Sequence, residues 1–151
     1  MADKEKSAEL ILRLYELRRE EVMRNARTWY FGFHPESVED IVAVARGEHS
    51  AYFRMVTSYW DMACSFVNHG AIDEEMFNDA NAEHILAFSK IQPFVEQIRA
   101  MGNANFASHL EQVVMRLPEA EARLERFREM SKQMTAARTA AGGAETEAAN
   151  A

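Results

Sequence analysis

The sequence predicts an all-α fold, an antiparallel bundle of five or six helices followed by a disordered C-terminal tail. Three observations carry this. Apolar residues recur at spacings of three and four through almost every stretch up to residue 134, and Gly32, Gly47, Gly70 and Gly102 fall between those stretches. No run alternates apolar and polar residues between turn signals, as a half-buried strand would. The 151 residues suit a single domain, residues 1–134, large enough to bury a core without disulfides or a metal.

The first helix is expected from about Ser7 to Phe31. Ile11, Tyr15, Val22, Met23, Ala26, Trp29 and Tyr30 form one apolar stripe, interrupted by Arg19, while Leu10, Leu14 and Leu17 form a second on another side. Two stripes need two partners, so the leucines lie either in a groove of their own chain or against another subunit. Gly32, His34 and Pro35 close this helix, since proline disfavours helical geometry in the residue before it. Ser37, with Asp40 three residues on, marks the start of a short second helix carrying Val38, Ile41, Val42 and Ala45 and ending at Gly47. The third helix, about Ser50 to His69 with Gly70 as its stop, is the centre of the bundle. Tyr52, Met55, Val56, Tyr59, Trp60, Met62, Ala63, Phe66 and Val67 cover more than half its circumference, and only Arg54, Asp61 and Asn68 line up opposite.

Asp73 caps a fourth helix, with Glu74 and Glu75 in the first turn where carboxylates favour the helix dipole. Its apolar face, from Phe77 through His84 and Phe88 to Ile98, passes through Pro93, which predicts a kink or a division there. Asn103 or Asn105 caps a fifth helix carrying Phe106, Leu110, Val113, Val114 and Leu117, and Pro118 opens a sixth with Ala120, Leu124, Phe127 and Met134. Residues 135–151 hold small side chains, Gly142 and Gly143 and nothing large and apolar, the composition of a disordered tail.

Charge is unevenly distributed. Residues 1–35 carry +1, residues 36–89 carry −8, residues 90–138 carry +2, and the whole chain −7. An acidic middle repels a phosphate backbone, which argues against nucleic acid as a partner. Arg123, Arg126, Arg128 and Lys132 suggest a basic patch until Glu119, Glu125 and Glu129 are seen within ion-pairing reach on the same helix, which points to a solvated face. The N-terminal MADKEKSAEL lacks the apolar core of a secretion signal, and every apolar run falls short of the ~18 residues of a membrane span. With a lone cysteine, Cys64, the expected location is the cytoplasm.

Chemistry is sparse. None of His34, His49, His69, His84 and His109 follows a carboxylate by three residues, no two histidines are three or four apart, and one cysteine cannot form a thiolate cage, so no metal site is predicted. No glycine-rich loop leads into a helix as a phosphate cradle, so no cofactor and no catalytic residue is assigned. One constellation remains: His84 on the apolar face of the fourth helix, Asn81 one turn before it, and Tyr59 and Trp60 presented by the third helix. It reads either as a small-ligand pocket or as a core histidine with ordinary hydrogen bonds. The aromatic cluster of Trp29, Tyr30, Phe31 and Phe33 points in several directions and offers anchors for a partner.

The run YWDMACSFVNHGAIDEEMF, Tyr59 to Phe77, is similar to a pattern found in small helical bacterial proteins of unknown function: an aromatic residue and an acid in mid-helix, an apolar run, a glycine, then an Ile-Asp helix start. The resemblance implies a bacterial, all-helical protein and brings no catalytic residue with it. The leading functional expectation is a protein-interaction or structural module acting as a homo-oligomer, a homodimer in its simplest form, with Leu10, Leu14 and Leu17 in the interface. The rival is a small-molecule-binding regulator or enzyme whose pocket lies between the third and fourth helices around Tyr59, Trp60, Asn81 and His84.

Overall fold

The computed structural model describes the backbone of residues 2–150 and the side chains of residues 2–143. Among them every regular element is helical: α1 (Lys4–Arg18), α2 (Glu21–Phe31), α3 (Val38–Ala45), α4 (Ser50–Asn68), α5 (Glu74–Ala80), α6 (Glu83–Ile91), α7 (Val95–Ala100), α8 (Ser108–Met115) and α9 (Ala120–Asn150), with a 3-10 turn at Gln92–Phe94 between α6 and α7. The central helix of the sequence analysis is α4. It buries Phe53, Val56, Thr57, Tyr59, Trp60, Ala63, Cys64 and Val67, and it packs chiefly on α2 and α8, with α3 and α6 also against it. Each large side chain taken out of water, such as Trp60, Phe77 or Phe88, contributes about 1.5–3 kcal/mol, and this burial holds the helices together. The hydroxyl of Thr57 is satisfied within its own helix, donating to the Phe53 carbonyl at 2.9 Å.

Among the described residues nine helices stand where five or six are expected, because two of the expected helices are divided. The first breaks after Arg18. Glu20 turns its carboxylate onto the N–H groups of Val22 and Met23, each at 3.0 Å, and so starts α2, while Arg27 Nη1 donates to the Arg18 carbonyl at 3.3 Å and closes α1. These N–H donors also hold the Glu20 carboxyl below its ordinary pKa. The fourth expected helix begins as predicted, with Asp73 accepting the Met76 N–H at 2.9 Å, but it stops at Ala80. Asn81 folds back and donates to the Phe77 carbonyl at 3.0 Å, and α6 starts afresh at Glu83. Pro93 sits in the 3-10 turn, where its missing N–H breaks no α-helical bond.

The expected cap of α8 differs. Neither Asn103 nor Asn105 takes the position; it falls to Ala107, in the left-handed region at φ 54°, with no side-chain bond of its own. The cap comes from another helix instead, since Asp61 of α4 accepts the Leu110 N–H at 2.9 Å. Asp61 is thus a part-buried tie between α4 and α8 rather than a solvent-facing residue. Pro118 likewise precedes the last helix instead of opening it: Glu119, at φ 54°, intervenes and α9 begins at Ala120.

Over the stretch expected as a disordered tail, residues 135–151, the described backbone keeps the helical conformation of α9 to Asn150, the local preference of an alanine-rich stretch. It makes no part of the core: after Thr135, every residue from Ala136 to Gly143 is exposed. The side chains of residues 144–150, and residue 151 altogether, lie outside the described part.

Candidate functional site

The four residues expected around His84 come together only in part. Tyr59 and Trp60 are adjacent in α4 with their rings edge to face at 4.9 Å, and Trp60 and Phe77 wall His84 at 5.7 and 4.9 Å between centroids. Asn81 is not a partner of the histidine. Its amide is used on the Phe77 carbonyl, and the break between α5 and α6 brings Asn78 Oδ1 to 3.0 Å from His84 Nε2 instead. Tyr59 spends its hydroxyl on the Leu14 carbonyl. His84 is fully buried, and burial, with the Arg18 charge beside it, pushes its pKa down to about 4. The imidazole is therefore neutral at pH 7, with Trp60 and Phe77 as its walls. Among the described residues its Nδ1 has no hydrogen-bond partner, nor has Nε of the neighbouring Arg18.

Beside it stands a group that periodicity does not reveal. Glu83 reaches inward from α6 and accepts Arg27 Nε at 2.8 Å and Nη2 at 2.7 Å, Arg18 Nη1 at 3.3 Å and the Trp60 indole N–H at 3.4 Å. The Arg18 guanidinium also lies 5.3 Å from the Trp60 ring. Two arginines from α1 and α2 on one carboxylate of α6 fix the bend between α1 and α2 against the rest of the chain. A second buried charge is Lys90, also of α6, only 4% exposed. Its three ammonium N–H groups are shared among the Phe33 and Phe31 carbonyls at 2.8 and 3.2 Å, Ser131 Oγ at 3.0 Å and His34 Nδ1 at 3.2 Å.

The leucines expected at an interface have three different fates. Leu14 is buried in the core, Leu10 is half-buried against it, and Leu17 is 52% exposed. Leu17 stands over an open groove of about 490 Å³ between the α1–α2 bend and α4, which is lined also by Met23, Met55, Tyr59 and Met62 with Glu20 at the lip. Met62 is 39% exposed, and Leu12, Tyr15 and Val22 extend exposed apolar surface along α1 and α2. The aromatic residues at the end of α2 are mostly spent within the chain: Tyr30 is buried and donates to the Ala87 carbonyl at 2.6 Å, and Trp29 stacks on Phe33 and His49 at 5.1 and 5.0 Å.

Among the described residues no group of three or more His, Cys, Asp and Glu is arranged to hold a metal ion. No helix there is long and apolar enough to cross a membrane. Cys64 is buried, and burial raises its thiol pKa, the reverse of what a nucleophile needs. No curated protein and no solved structure matches the chain. A family model does, over residues 6–117, from α1 to the end of α8, and so takes in the groove, the Glu83 cluster and Lys90. The chain therefore belongs to the family described as a domain of unknown function, DUF4760.

Proposed function

We propose that this protein is a helical interaction module that associates with a second copy of itself through the groove between the α1–α2 bend and α4. The observation that carries the reading is the apolar surface left open there: Leu17 and Met62 exposed, Met23, Met55 and Tyr59 beneath them, and one carboxylate at the rim. Methionine-rich surfaces repack easily against a partner, and leucine and tyrosine add area at low entropic cost. A second copy meets little electrostatic opposition as occupant: α4 carries one arginine and one aspartate, Arg54 and Asp61, and of the residues lining the groove Glu20 alone is charged. Dimer formation is read by light scattering over a range of concentrations. The parent is expected to be dimeric, and Leu17→Glu and Met62→Glu monomeric with unchanged helical circular dichroism. A parent that stays monomeric throughout overturns the reading.

A bacterial, cytoplasmic setting goes with this reading and is supported by the buried free cysteine and by the resemblance of residues 59–77. The small-ligand alternative beside His84 has less support, because Tyr59, Trp60, Asn78 and Asn81 already spend their polar groups on one another's neighbours and on the backbone.

A further inference from the structure

At the C-terminal end of α6, the loop after α2, the 3-10 turn and α9 border a cavity of about 40 Å³ lined by His34, Lys90, Arg128 and Lys132, with Pro35, Pro93 and Phe94 as stiff apolar walls. No carboxylate lines it. In a chain of net charge −7, this is a place where three lysine and arginine charges and a histidine converge. We propose that this cavity is a binding site for a small oxyanion, a phosphate or carboxylate group.

Hydrogen bonding divides the labour among the lining groups. Lys90 shares its N–H groups among Phe33 O, Phe31 O, His34 Nδ1 and Ser131 Oγ, and the Ser131 hydroxyl donates a hydrogen bond to the Phe31 carbonyl at 3.3 Å. His34 accepts at Nδ1, donates from Nε2 to Thr135 Oγ1 at 2.8 Å, and Thr135 donates to the Ser131 carbonyl at 3.0 Å. The ammonium of Lys90 is therefore locked in place with its N–H groups committed, and it acts on the cavity through its field, which low-dielectric walls strengthen. The direct donors are the other two cations. Arg128 is held by the Ser89 carbonyl at 2.9 Å and Gln92 Oε1 at 3.1 Å, and among the described residues it pairs with Glu125, a mostly exposed carboxylate outside the cavity. Lys132 makes no hydrogen bond or ion pair among the described residues, although Glu129 stands three positions before it; burial is the main cause that lowers the proton affinity of Lys90 and His34, and the Lys132 charge adds to it as a lesser one. Like charges held this close repel, and a bound anion relieves the repulsion. The size suits a single phosphate or carboxylate group, since a cavity of ~10–15 Å³ already holds one water.

Two readouts test the site at matched ionic strength. Inorganic phosphate and acetate, each compared with sodium chloride, are titrated while thermal unfolding is followed, and the ring signals of His34 are followed by NMR. Saturable stabilisation by phosphate alone assigns a phosphate site, and by acetate alone or by both a carboxylate-tolerant one. A bound anion also raises the His34 pKa, because it offsets the Lys90 and Lys132 charges. Lys132→Gln, an exposed position that leaves the fold intact, weakens binding about tenfold through loss of one charge-assisted hydrogen bond. Arg126→Gln, on the same helix but away from the cavity, leaves it unchanged. The proposal is overturned if neither anion stabilises more than chloride, if Lys132→Gln responds like the parent, or if stabilisation occurs with the His34 titration unmoved.

Discussion

Glu83 and Lys90 stand seven residues apart on α6, both removed from solvent, and the chain deals with their charges in opposite ways. Glu83 meets two guanidinium groups, one of them bidentate, so its charge is cancelled where it sits. Lys90 meets two carbonyl oxygens, a hydroxyl and a neutral imidazole nitrogen, which orient around the charge without cancelling it. The first arrangement ties two cations to one anion by direct ion pairs, and it braces α1 and α2 on α6. The second leaves a net positive field beside a cavity. A buried ion with its counter-ion is a structural joint, whereas a buried ion coordinated only by dipoles keeps its charge available to a ligand.

Three substitutions break or sharpen that contrast. The largest effect is expected for Glu83→Gln, which strands Arg18 and Arg27 beside each other in a poorly hydrated site and costs about 3–5 kcal/mol in urea unfolding. If it costs no more than an exposed Glu→Gln change, the joint is not one. Lys90→Met is expected to be milder, about 2 kcal/mol, because the freed carbonyls lose their donor while the cost of burying an ammonium disappears with it. Its pH dependence separates the two terms. Burial, with the Lys132 charge a lesser cause, holds the Lys90 pKa at about 8 in the folded chain, below the value of 10.5 expected without the fold. Between those values the unfolded chain binds the proton and the folded chain does not, so the parent gains stability relative to Lys90→Met as pH rises from 8 to 10.5. A flat difference over that window means the amine is hydrated. The smallest effect is expected at Asp61→Ala, which removes the borrowed cap of α8 and costs ~1 kcal/mol by the same urea measurement. It touches neither buried ion, and it should leave the response to phosphate unaltered.

Local signals in the sequence located what local physics builds. The span of α4 and the Ser37 and Asp73 caps follow from periodicity and from short side chains that reach their own backbone N–H groups. The break at Glu20 was not legible, because glutamate is an uncommon cap and no glycine or proline marks the place. The division at Asn81 had the same cause and a larger consequence. A continuous helix sets Asn81 one turn from His84, but the interrupted one substitutes Asn78 and uses Asn81 as the end of α5. Charges such as Glu83 and Lys90 give no periodic signal of their own, since a single charged residue in a helix is ordinarily on the surface. For Lys90 the surroundings did carry a hint: Ala87, Phe88, Ser89 and Ile91 leave it no polar face to share, and all are buried. The partners of both residues lie 23 to 65 positions away, beyond anything spacing can show. Arg128 and Lys132 were legible as a helix face but not as half of a cavity, because their other half comes from α6 and the loop after α2.

The family match stops at residue 117, and α9 begins three residues later. That late helix nevertheless brings Leu124 into the core and supplies Arg128, Ser131, Lys132 and Thr135 around Lys90. Its seating and the filling of the cavity are consequently one thermodynamic quantity seen from two ends. Whatever clamps α9 down tightens the grip on an anion, and an anion in place must protect the short tether at Leu117–Glu119 from proteases to the same degree.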